Sequence, residues 1–406
     1  MVGLAAAYSA QYLHTRRAQL ADYEKDFVGV LFLWGLLWWC AGGVGEIRQH
    51  VGAAHLLASI LVFATATALT CSELARRRAQ MLAALLPALA LLPVMLLFAL
   101  RAATFLPHPL AQGGWIGWPM AFLGFYLILR RHDAALGANL TGSLHALTLW
   151  LLTALLSWEI AWAIAQGVGH SGAWSAIAWA IVPVAVLTWL PHATTRVAWP
   201  FRAHRDAYEV LASAGLALYL CVWSLATNVT VSSPAAPLPY LPLLNPLDIA
   251  QGFVIFTLVR VWVRLRSQSD SLASRFDARP ALGALALVGF VWLNAVLLRT
   301  LNQWAEIPYE LKAMADSTLA QSALSIFWAF LALTTMLIAT RIGIRTMWLT
   351  GVGLLVIVVL KLFLVDLSSI GTIERIVSFV GVGLLMLIIG YFSPLPPAAK
   401  EEQQAS

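Results

Sequence analysis

Two long apolar runs close this chain, at 347–365 and 376–392, joined by a short polar turn in which Asp366 ends the first run and Arg375 opens the second. Lys361 sits just inside the edge of the first run. A helix needs about 20 mostly apolar residues to cross the hydrocarbon core of a bilayer, and runs of that kind recur throughout the sequence. This repetition constrains the fold more than any other feature. In lipid, backbone polar groups must be satisfied inside the segment that carries them. The chain therefore reads as all-α, a polytopic transmembrane helix bundle.

Composition agrees. Of 406 residues, 61% are hydrophobic and 11% charged, against roughly 25% charged in soluble domains; the mean hydropathy is +0.81. The net charge of +6 does not signal nucleic acid, because the basic residues fall in short clusters between apolar runs. Cys40, Cys71 and Cys221 all lie within apolar runs with no CxxC spacing, so they read as buried thiols rather than disulfides or zinc ligands.

Twelve spans are expected, at 27–45, 51–72, 81–100, 115–129, 144–165, 173–190, 208–227, 247–263, 281–298, 319–338, 347–365 and 376–392. Pro183 should kink its helix, with a neighbour satisfying the freed carbonyl. With the N-terminus in the cytoplasm, every inner segment before the tail carries at least two Lys or Arg, including Arg76 to Arg78, Arg130 with Arg131, and Arg264 with Arg266. The outer segments hold only Arg48, Arg101, Arg299, Lys312 and Arg375. This alternation places both termini in the cytoplasm. Residues 1–26 lack a cleavable signal pattern and read as a cytoplasmic segment or the stub of a preceding helix. Residues 27–393 form one membrane domain, and 394–406 a disordered cytoplasmic tail.

Ionisable residues inside a membrane are costly, by about 2.5–3.5 kcal/mol on insertion scales, and mark candidate functional sites. Lys361 precedes Asp366 by five residues, about 7.5 Å of rise and about 140° of rotation. The two do not share a face, so Lys361 needs a partner from another helix or must snorkel. Asn294, Arg299 and Asn302 mark the outer end of the ninth span, and Gln321, Ser325 and Trp328 follow i, i+4, i+7 spacing on the tenth. Asn245-Pro246-Leu247-Asp248 resembles a helix start, with Asn as cap and an acid in the first turn. Asp248, Asn294, Arg299, Gln321, Lys361, Asp366 and Arg375 are thus the candidate ligand-binding residues of an outward-facing polar cavity. The bland alternative is a set of helix ends in contact with water and headgroups. Glu159, between Trp158 and Trp162, is a candidate proton carrier, or pairs with a nearby base. Arg260, one turn before Arg264, reads as a snorkelling residue.

Other chemistries lack a signal. His50, His55, His108 and His170 are scattered without metal-ligand spacing, so no metal is expected. No Walker A, Rossmann glycine pattern or GxSxG occurs, so no cofactor is implied. Glu46, in the first outer loop, keeps a transferase base in play. The repeat Gly-Val-Gly-Leu-Leu at 351 and 381 reads as small-residue packing rather than duplication.

The last 160 residues or so carry a resemblance. Leu-Pro-Leu-Leu-Asn245-Pro-Leu-Asp248, Asn294 with Arg299, Gln321 with Trp328, Leu360-Lys-Leu-Phe-Leu-Val-Asp366-Leu, Arg375-Ile-Val-Ser-Phe379 and Gly390-Tyr-Phe-Ser-Pro-Leu-Pro-Pro397 resemble the C-terminal part of a bacterial multi-pass membrane-protein family catalogued as domain of unknown function 2339. The resemblance implies a bacterial inner membrane and a longer family architecture, of which this chain is a short version; it implies no activity. The leading reading is a non-ATP-driven transporter or flippase-like protein for an envelope lipid or glycan intermediate, with membrane lipids as partners and no nucleic acid. The alternatives are a membrane-embedded transferase at the outer face, with Glu46, Asp248 or Asp366 as base, and a structural scaffold whose charges are all paired.

Overall fold

The computed structural model describes residues 2–16, 22–77, 82–168, 172–232, 238–267 and 279–362, together with Leu387. The expectations for Asp366, Arg375, His170, the span at 376–392, the repeat copy at 381 and the tail at 394–406 lie outside the described residues. Every regular element among the described residues is helical. In order these are α1 (Val2–Thr15), α2 (Asp22–His50), α3 (Leu56–Arg77), α4 (Leu82–Leu89), α5 (Leu91–Phe105), α6 (Gly114–His132), α7 (Ala138–Val168), α8 (Ala173–Arg196), α9 (Ser213–Thr230), α10 (Pro246–Ser267), α11 (Arg279–Trp304), α12 (Leu311–Asp316), α13 (Thr318–Ile342) and α14 (Arg345–Lys361). Two π-helical turns, Ala198–Arg202 and Ala207–Ala212, lead from α8 into α9.

Among the described residues, nine helical stretches are long and apolar enough to cross a membrane. They match nine of the twelve expected runs. Two more expected runs are helical over their described residues but fall short of that standard. α6 ends in Arg130, Arg131 and His132, and α14 is described over 17 residues, about 25 Å of helix. Three local expectations change. The run at 81–100 carries a turn at Ala90, between α4 and α5, though hydrogen bonds from Ala90 N to the Leu86 carbonyl and from Val94 N to the Ala90 carbonyl carry it through as one stretch, Ala84–Phe105. The run at 208–227 begins in a π turn. Glu46 and Arg48 lie not in a loop but in the last turns of α2, where the carboxylate of Glu46 is 3.5 Å from the imidazole of His50.

The chain divides into two compact units, Met1–Pro239 with Asn245–Gly289, and Tyr240–Leu244 with Phe290–Ser406. In the first, Leu61 of α3 packs with Leu91, Leu92 and Met95 of α5 and with Phe125, Ile128 and Leu129 of α6. A second core joins Ile177 and Leu187 of α8, Leu216 and Leu220 of α9, and Val254 and Leu258 of α10. A third, of Ala146, Leu149, Leu190, Tyr208 and Ala212, ties α7 to α8 and the second π turn.

Membrane helices associate through close packing and hydrogen bonds rather than escape from water, and the first unit uses both. Pro183 lies inside α8 and has no N–H to offer the carbonyl of Trp179 four residues back. The Tyr219 hydroxyl of α9 donates to that carbonyl at 3.1 Å. Lower in the same packing, Ser224 donates to Gln251 Oε1 and Gln251 Nε2 donates to Thr227 Oγ1 at 2.8 Å, all three buried between α9 and α10. α10 itself starts as its sequence predicts, with Asp248 N donating to Asn245 Oδ1 at 3.0 Å.

In the second unit α13 and α14 pack around Ala332, Met336 and Leu355. Gly351 permits the approach: a Cβ there would lie 2.5 Å from Met336 Cγ and 3.0 Å from the Ala332 carbonyl oxygen.

Candidate functional site

In the second unit the structure gathers part of the polar set expected from the sequence. Lys361, at the end of α14, finds the partner from another helix that its position requires: Nζ donates to Ser325 Oγ at 2.7 Å and to the Gln321 carbonyl at 2.9 Å. One turn further along α13, Trp328 Nε1 donates to Asn294 Oδ1 of α11 at 2.6 Å. The Gln321-Ser325-Trp328 stripe therefore links three helices. Arg299 is fully buried on α11, five residues and about 7.5 Å of helix from Asn294, toward the end where α12 begins.

Asp248 and Glu159 belong to the first unit. Asp248 is buried and accepts from the Asn245 amide, a helix-capping arrangement. Glu159 lies 3.0 Å from His108 Nδ1 and accepts from the Leu110 backbone N–H at 3.2 Å. His108 in turn stacks on Trp162, ring centroids 3.7 Å apart. Glu159 is thus both paired with a titratable base and fixed by backbone.

A further concentration of ionisable side chains among the described residues was not singled out from the sequence. It lies in the first unit, at the end that carries Arg130, Arg131, Arg196, Arg202 and Arg205. His145 of α7 is fully buried, seven residues or about 10 Å from the start of its helix. Its Nδ1 shares a hydrogen bond with the Tyr208 hydroxyl at 2.9 Å, and that hydroxyl is 3.4 Å from the Tyr126 hydroxyl of α6. His145 stacks on His204 with ring centroids 4.3 Å apart. His204 Nε2 contacts the Asp133 carboxylate at 3.0 Å, which also accepts from Trp199 Nε1 at 3.3 Å. Hydrogen bonds thus join Tyr126, Tyr208 and His145, an ion pair joins His204 to Asp133, and ring stacking bridges the two histidines, so that the run Tyr126–Tyr208–His145–His204–Asp133 passes from the interior of the bundle to its arginine-rich end.

The second π turn arranges this. Consecutive residues on a helix point about 100° apart, yet Tyr208 and Glu209 are both buried, on different partners. Tyr208 meets α7. Glu209 accepts from Thr194 of α8 and from Arg264 Nη2 of α10 at 3.0 Å, with Arg205 Nε at 3.1 Å. π turns occur disproportionately at functional sites. Beside the run, buried Ser72 and His132 share a hydrogen bond at 3.0 Å.

Counting only Lys and Arg in the inner loops hides this cluster, since its members are His, Tyr and Asp from segments up to about 80 residues apart. The available signal was His145 itself, an ionisable residue inside an expected span. Among the described residues, no group of three or more His, Cys, Asp and Glu could hold a metal ion.

Membrane-length helices around a hydrogen-bonded ionisable interior define a polytopic α-helical membrane protein. Its family is shown by comparison over residues 2–396, where the family model described as Predicted membrane protein (DUF2339) matches; the chain belongs to that family. The resemblance carried by the C-terminal motifs thus extends over nearly the whole sequence. No curated protein and no solved structure matches the chain.

Proposed function

We propose that this protein is a non-ATP-driven transporter or flippase-like protein of the bacterial inner membrane, handling an anionic envelope lipid or glycan intermediate, with proton movement through the first unit. The observation that carries the reading is the run of protonatable side chains from Tyr126 through His145 and His204 to Asp133. Ionisable groups inside membrane bundles mark ion pathways and proton relays. By the positive-inside rule the arginine-rich end of the run faces the cytoplasm, so a proton would exchange with that side through His204 and Asp133. Lys361 and Arg299 in the second unit supply the cationic groups for an anionic substrate.

The test is a bacterial strain lacking the chromosomal gene, complemented with the unaltered protein or with His145→Gln, or with Arg299→Gln combined with Lys361→Gln. Envelope lipids and lipid-linked glycans are then quantified by mass spectrometry. The reading expects one anionic intermediate to accumulate in the deletion strain and in both variants at normal protein level. An unchanged profile in all three ends it.

A further inference from the structure

A groove follows the junction of α8 and α10 in the first unit. One stretch, of about 450 Å³, is walled by aliphatic and aromatic side chains from Trp174 and Pro246 to Phe253. Through Val184, Ala185 and Phe253 it continues into a stretch of about 700 Å³ that ends at His192, Arg196 and Arg260. His192 and Arg196 stand one turn apart on α8, so they share a face. Two helices thus deliver basic side chains to one end of an otherwise apolar groove.

Among the described residues the two arginines have no counter-charge there. Arg264, one turn beyond Arg260, pairs with Glu209. Among the described residues neither Arg196 nor Arg260 makes an ion pair, and Arg260 lies over the Phe256 ring, 5.8 Å from its centroid. Snorkelling accounts for one arginine near a helix end. It places each arginine near the end of its own helix, and the groove adds that the two lie on one lining.

We infer that this groove binds an anionic glycerophospholipid, its phosphate between Arg196 and Arg260 and an acyl chain along Ile181, Val184 and Phe253. Guanidinium groups pair with phosphate oxygens in a fork geometry that lysine cannot match, and basic pockets between membrane helices are where anionic headgroups bind. The length favours a lipid over a free phosphate. From Arg260 to Ile249, which lines the apolar stretch, α10 rises about 16 Å, close to half of a hydrocarbon core about 30 Å thick. The inference is independent of the transport reading, since a resident lipid would occupy the same groove.

The test uses the full chain in detergent, titrated with dioleoyl phosphatidylglycerol or dioleoyl phosphatidylcholine and read by native mass spectrometry and by melting temperature. The expected result is saturable binding of phosphatidylglycerol, at least about tenfold tighter than phosphatidylcholine, which offers the same phosphate but brings a quaternary ammonium against Arg196 and Arg260. Glycerol 3-phosphate should not displace it. Arg196→Gln with Arg260→Gln should remove the preference, while Arg341→Gln, at the end of α13, should leave it intact. Equal binding of the two lipids by the unaltered protein overturns the inference, and this arm needs no variant to fold. A preference retained at full strength in the double variant, or displacement by glycerol 3-phosphate, overturns it too.

Discussion

The hydroxyl of Tyr208 lies 2.9 Å from Nδ1 of His145, while the opposite ring nitrogen, Nε2, is buried without a hydrogen-bond partner among the described residues. A buried imidazole has one donor and one acceptor when neutral, so one half of its capacity depends wholly on Tyr208.

Tyr208→Phe keeps the ring and removes the hydroxyl, leaving His145 buried with neither nitrogen paired. Stranding a buried polar group costs about 1–3 kcal/mol, whereas replacing both partners with apolar groups is nearly neutral. The single variant should therefore melt well below the unaltered protein in detergent, and Tyr208→Phe combined with His145→Phe should melt closer to it. A double variant no more stable than Tyr208→Phe alone would show that the pair contributes nothing by its hydrogen bond.

Glu209 gives a second contrast. Its carboxylate is buried and meets Arg264, while Arg205 approaches from the exposed surface. Glu209→Ala strands a partly buried guanidinium whose Nε already lacks a hydrogen-bond partner among the described residues and should cost about 3–5 kcal/mol. Arg205→Ala removes an exposed pairing and should cost no more than about 1 kcal/mol. Denaturation of the two variants under one detergent condition checks the ratio.

These two sites differ in how much of them the sequence exposes. The apolar runs are long, so α7, α8 and α13 are readable from length and hydropathy alone. The start of α10 is readable because Asn245, Pro246 and Asp248 act within one turn. Lys361 is readable as a residue that must find a partner on another helix or snorkel, and it finds Ser325 and the Gln321 carbonyl. The run from Tyr126 to Asp133 is different. It depends on which faces of α6 and α7 meet the π turn at Ala207–Ala212, and hydropathy carries no record of facing. The same holds for the side-chain neighbours of Glu159, whose base, His108, comes from a loop 51 residues earlier.

Gly351 and Gly353 make a matched pair on α14. A Cβ at 351 meets Met336 and the Ala332 carbonyl, while one at 353 meets nothing within 4 Å. Gly351→Ala should force α13 and α14 apart at about 1–3 kcal/mol, the usual range for overpacking. Gly353→Ala should be neutral or stabilising by up to about 1 kcal/mol through helix propensity. Thermal unfolding of both variants separates contact from propensity, since the substitution is the same and the sites are two residues apart.

The bond from Tyr219 to the Trp179 carbonyl is the most specific test of how this bundle is held together. Pro183 creates the free carbonyl and Tyr219 fills it from the neighbouring helix. Interhelical hydrogen bonds in membranes contribute about 0.6 kcal/mol on average and up to about 1.7. Tyr219→Phe, which keeps the ring, should lower stability by about 1 kcal/mol. Pro183→Ala restores an N–H that satisfies the same carbonyl within α8, so in that background Tyr219→Phe should cost measurably less. The four proteins form a double-mutant cycle, and its coupling energy reads the bond directly. An equal cost of Tyr219→Phe in both backgrounds would mean that the hydroxyl stabilises the bundle through something other than the carbonyl freed by proline.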